Sequence, residues 1–216
     1  MIRFERENRQ YQEMLDAAIR RIQHIDLIAA AERSGLAYDR LAQSIAFMSF
    51  GERVKLDAVS LLSDLPIGMW QHLAILQYIE SMDGSVPTDV WISMADLQEG
   101  GLARGASFDR EIDALIAHRL GIHQPEAIRA ACERLGGIPQ NDSHADLCTD
   151  FYFMPRFPLR LNLWFADDEF LASGKVLVND GVKHCLGTEA IGTVGTLLIQ
   201  KVCDEAYKQA QRCLHY

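Results

Sequence analysis

The chain has 216 residues, 49% hydrophobic and 24% charged, with 30 acidic against 21 basic side chains and a formal net charge of −9. That length can bury a sizeable core without disulfide or metal staples, and the acid excess disfavours nucleic acid as a partner. No apolar run approaches the ~20 residues that span a bilayer.

The charged start Met1-Ile2-Arg3-Phe4-Glu5-Arg6-Glu7 does not read as a signal peptide. Tyr11, Leu15, Ala18, Ile22, Ile25 and Ala29 then recur at helical spacing, giving a long N-terminal helix that Ser34-Gly35 stops. Ile45 to Phe50 and the alternating Arg53 to Ala58 predict a hairpin with Gly51-Glu52 at its turn. Residues 67–82 are apolar around most of the circumference and predict a buried helix, followed by a short strand at Val90-Trp91-Ile92. Gly100, Gly101 and Gly105 predict a loop before a helix capped by Ser107. Pro125 opens another helix, which Gly136-Gly137 ends.

Strands follow at 147–153, at 159–165 and at 175–178. The middle one alternates cleanly, with Leu159, Leu161, Leu163 and Phe165 on one face and Arg160, Asn162 and Trp164 on the other. Thr188 caps a C-terminal helix striped by Ile191, Val194, Leu198 and Val202, in which Gly192 and Gly195 permit close approach to a neighbour. Helices and strands are grouped rather than alternating. The expected fold is α+β, an antiparallel sheet packed with several helices. It reads as a single domain over 1–216, in which residues 1–34 are the N-terminal helix or a helical extension and 36–216 the α+β body.

Two stretches carry a resemblance. They are Tyr78-Ile79-Glu80-Ser81-Met82-Asp83-Gly84-Ser85-Val86-Pro87-Thr88-Asp89-Val90-Trp91-Ile92-Ser93 with Gly100-Gly101, and Pro155-Arg156-Phe157-Pro158-Leu159-Arg160-Leu161-Asn162-Leu163-Trp164 with Asp167-Asp168-Glu169-Phe170. From about residue 36 onward the chain resembles the domain-of-unknown-function family 3786, found largely in anaerobic prokaryotes. Some members are joined to cysteine-rich iron–sulfur modules or are encoded near corrinoid-dependent genes, so the resemblance implies a link to tetrapyrrole or corrinoid metabolism. It supplies no catalytic residues. Cys132, Cys148, Cys185, Cys203 and Cys213 lack cluster spacing and read as reduced thiols of a cytoplasmic protein.

Three constellations could carry chemistry. Asp167, Asp168 and Glu169 offer hard oxygen ligands to a divalent cation, or a general acid or base, and otherwise form a solvated turn. Gly100, Gly101 and Arg104 could hold an anion at a helix start, although the spacing matches neither a Walker loop nor a dinucleotide fingerprint. His184 beside Cys185 could ligate a metal or a tetrapyrrole, but neighbours on a strand would point to opposite faces. A fourth feature is Trp164 with Arg160 and Asn162, where a large aromatic on a polar face suits a ligand groove.

These features lead to a small-molecule or cofactor-binding module using Trp164, Arg160, Asn162, Gly100, Gly101 and Arg104. One alternative is a homodimer or partner contact through the stripe from Tyr11 to Ala29. The other is a metal-dependent hydrolase at Asp167, Asp168 and Glu169, with His184 as a further ligand.

Overall fold

The computed structural model describes residues 2–97, 102–141 and 144–213. The fold is α+β, and the chain forms two compact units. The first comprises Met1–Phe47 with Arg53–Ser85, the second Met48–Glu52 with Val86–Tyr216. No helix among the described residues is long and apolar enough to cross a membrane.

In the first unit, α1 (Ile2–Ile22) and α2 (Leu27–Arg33) are separate helices, where the sequence reads as one. The stripe fails to resolve the break because Asp26 restarts the helix locally. Its carboxylate accepts from the amides of Ile28 and Ala29 at 3.0 and 3.1 Å, a side-chain N-cap. Tyr11, Leu15, Ala18 and Ile22 are buried, and α1 packs on α3 (Met69–Ser81). These four residues of the stripe are therefore covered from within the unit, while Ile25 and Ala29 are half-buried. Helix α3 is buried nearly all round, and the Tyr78 hydroxyl donates to the Ser34 carbonyl at 2.9 Å. His72 is a core residue here, its Nε2 2.8 Å from the Leu61 carbonyl and its Nδ1 3.4 Å from the Tyr11 hydroxyl.

Strands β1 (Ala37–Asp39), β2 (Ser44–Ser49) and β3 (Glu52–Asp57) form a three-stranded sheet in that order. The β2–β3 turn is Phe50-Gly51, not the expected Gly51-Glu52. Both residues have positive φ, 49° and 75°, as a type I′ turn requires. Phe50 tolerates that backbone because its ring is fully buried against Phe153, with centroids 5.7 Å apart, and its amide donates to the Tyr152 carbonyl at 2.8 Å.

The second unit is built on a five-stranded antiparallel sheet in the order β4-β8-β7-β6-β5. The strands are β4 (Trp91–Ile92), β5 (Ile138–Pro139), β6 (Leu147–Met154), β7 (Phe157–Trp164) and β8 (Ser173–Asn179). Helices α4 (Leu102–Leu115), α5 (Pro125–Arg134) and α6 (Thr188–Cys213) complete it. Helix α4 starts well before Ser107, so Ser107 lies inside the helix rather than capping it. Gly192 does serve close packing, since a methyl group there would lie 2.5 Å from the Phe108 ring.

Register fixes which residues share a face. Leu147 with Leu163, Thr149 with Leu161 and Val176, and Phe151 with Leu159 and Val178 are paired across β6, β7 and β8, and all are buried. The alternate residues, Cys148 with Asn162 and Lys175, then Asp150 with Arg160 and Leu177, lie on the opposite, more polar face.

Candidate functional site

The polar face of the five-stranded sheet gathers the ligand-binding residues expected on β7. Arg160, Asn162 and Trp164 are all half-buried there. Arg160 is fixed rather than free. Its Nε and Nη2 donate to Asp150 Oδ1 and Oδ2 at 2.6 and 2.9 Å, a bidentate geometry that matches the planar guanidinium. The same guanidinium lies 4.3 Å from the centroid of Trp91 on the far edge strand, a cation–π contact. The charge is thus matched by a carboxylate before any ligand arrives, and the side chain acts as a rigid part of the face.

Two asparagines on this face differ sharply. Asn179 is fully buried and satisfied on both sides of its amide. Its Oδ1 accepts from Thr88 and Gly181, and its Nδ2 donates to the Thr88 carbonyl at 2.6 Å. The Asn162 Oδ1 is also buried, yet it has no hydrogen-bond partner among the described residues. An unpaired buried acceptor costs roughly 1–3 kcal/mol. Beside Asn162 in register is Lys175, an exposed side chain that forms no ion pair among the described residues. The Trp164 indole N–H donates to the His144 carbonyl at 2.5 Å, which holds the half-buried ring in place. The face thus combines an unsatisfied acceptor, an exposed ammonium whose charge acts on Asp109, and an anchored aromatic.

The other expected residues lie apart from this arrangement. Gly100 and Gly101 fall outside the described residues, and Arg104 belongs to the first turns of α4. Asp167, Asp168 and Glu169 are exposed on the turn after β7. The Asp167 Oδ1 accepts from the amides of Glu169 and Phe170 at 2.9 and 2.7 Å, and those bonds hold its carboxyl below the usual range. His184 and Cys185 sit in a 3-10 helix, Asp180–Cys185, rather than on a strand, with His184 exposed and Cys185 buried.

Trp91, Asp150, Lys175 and Asn179 complete the face and escaped the sequence reading. Each joins it by cross-strand register, a relation between distant segments that no local pattern encodes.

The family described as domain of unknown function (DUF3786) matches residues 26–201, and the chain belongs to it. The match opens at the cap residue of α2 and closes within α6. No curated protein and no solved structure matches the chain.

Proposed function

We propose that the chain is a small-molecule-binding module whose ligand lies on the polar face of the five-stranded sheet, against Asn162, Lys175 and Trp164. The unpartnered Oδ1 of Asn162 carries this reading, because a buried acceptor is costly unless something donates to it. The ligand brings an N–H or O–H to that oxygen, an anionic group to the Lys175 ammonium and a flat or apolar body to the Trp164 ring. Arg160 does not touch the ligand in this scheme. Clamped by Asp150 and stacked on Trp91, it holds the neighbouring strands in register.

The chemistry required of the ligand is present on tetrapyrroles and corrinoids, which combine flat rings with peripheral carboxylates or amides. This agrees with the metabolic link that the family resemblance implies. The test is thermal denaturation of the full chain against a panel of small carboxylates, nucleosides, haem and cobalamin. A ligand at a hundredfold its Kd stabilises by about 2.7 kcal/mol. That stabilisation is expected for at least one member and should vanish in Asn162→Leu and Lys175→Glu. No stabilisation by any member, or equal stabilisation in the variants, would contradict the reading.

A further inference from the structure

A second feature lies in the first unit. A groove of about 480 Å³ is lined by residues of the β1–β2–β3 sheet and the β1–β2 turn, among them Tyr38, Arg40, Ala46, Arg53 and Lys55. Its floor follows from the sequence. Ala37 and Ala46 are cross-strand partners, and neither has a side chain bulky enough to fill the outward surface between the neighbouring strands. On β3, Arg53 and Lys55 alternate with the fully buried Val54 and Leu56, so both cations are directed to the outward face.

The charge pattern runs against the chain as a whole. The chain carries 30 acids to 21 bases, and several cations elsewhere are paired with a carboxylate. Arg21 is paired with Glu80, Arg134 with Glu205, Arg160 with Asp150 and Lys201 with Glu52. Arg40, Arg53 and Lys55 form no ion pair among the described residues, although all three line one groove. Asp39 also lines it, but its Oδ1 accepts from the amides of Leu41 and Ala42 at 2.9 Å each. The carboxylate closes the turn that carries Arg40 instead of neutralising a cation.

We infer that this groove binds a small phosphate-bearing anion. Three cations against one engaged carboxylate favour a ligand with two or more negative charges, since unpaired like charges repel one another until a counter-charge arrives. Arg53 and Arg40 present guanidinium forks suited to phosphate oxygens, and Lys55 adds a point charge.

The experiment is calorimetric titration of the full chain with pyrophosphate and, separately, with ribose 5-phosphate at low salt. One-to-one binding of at least one is expected. It should weaken as salt is raised and weaken at least tenfold in Arg53→Ala/Lys55→Ala. Both substituted side chains project outward, so unchanged far-UV circular dichroism is expected. Arg110→Ala, on α4 of the other unit, should bind like the parent chain. Tighter ribose 5-phosphate identifies an organic phosphate, whereas tighter pyrophosphate identifies the phosphate groups alone as the determinant. No binding of either anion, or equal binding by the folded double variant, would overturn the inference.

Discussion

The Arg160 guanidinium lies 4.3 Å from the centre of the Trp91 ring, although β4 and β7 are separated by β8. Asp150 holds the other side of that guanidinium through two hydrogen bonds. One side chain on the central strand thus joins three strands of the polar face. Breaking a buried pair by removing one partner typically costs about 3–5 kcal/mol. The two side chains here keep 21% and 14% exposure, so Arg160→Ala should cost about 2–3 kcal/mol after allowance for solvent. Arg160→Lys retains the charge but loses the fork and the flat stack, and should recover only a minor part. Urea denaturation measures both. A loss below about 0.5 kcal/mol for Arg160→Ala, the size of an ordinary surface change, would contradict this role.

Phe50 combines left-handed backbone with a fully buried ring. Its contact with Phe153 continues to Phe157, whose ring lies 6.4 Å from Phe153 in a T-shaped arrangement. Phe50→Ala should destabilise the second unit by about 3–5 kcal/mol, as expected for a large buried aromatic. Glu52→Ala, two residues on, removes only an exposed carboxylate paired with Lys201 and should cost under about 1 kcal/mol. Chemical denaturation separates the two cases, and equal effects would show that the Phe50 ring does not anchor the turn.

Burial pushes the Cys132 thiol up to about 12 and the Cys203 thiol up to about 11. The unfolded chain ionises cysteine near ~8.5. Above that pH the folded state therefore binds more protons than the unfolded one, and stability falls as pH rises. The contribution is intact below about pH 8 and declines toward the two folded values. Cys132→Ala should flatten the alkaline decline in the urea midpoint between about pH 8 and 10. Native Cys132 should also label slowly with a thiol reagent at about pH 8. Labelling at the rate of the unfolded chain would show that the thiol is accessible.

Much of the fold is legible in the sequence, because local chemistry decides it. The alternation of Leu159, Leu161 and Leu163 with Arg160 and Asn162 gives β7 and both its faces. Pro125 marks the first residue of α5, and Gly136, with φ of 71°, lies just beyond its end. The break between α1 and α2 is hidden because Asp26 sits within a helical stripe that continues past it. The Phe50-Gly51 turn is misplaced by one residue because a buried aromatic accepts a conformation usually left to glycine or asparagine. The candidate site is legible only on its central strand. Trp91 lies in a two-residue strand, and Lys175 and Asp150 reach the face solely by pairing with distant segments. The groove at Arg53 and Lys55 is similarly silent, since unpaired charge is a property of three-dimensional neighbours.

The most direct test of the binding reading compares what the parent chain and Asn162→Leu carry when isolated from the same cells. After extensive desalting, native mass spectrometry of each measures any retained small molecule, and circular dichroism verifies that both are folded. The proposal requires a stoichiometric adduct on the parent chain that is lost from the folded variant. An unmodified mass for the parent chain, or the same adduct on both, would contradict a ligand held at Asn162.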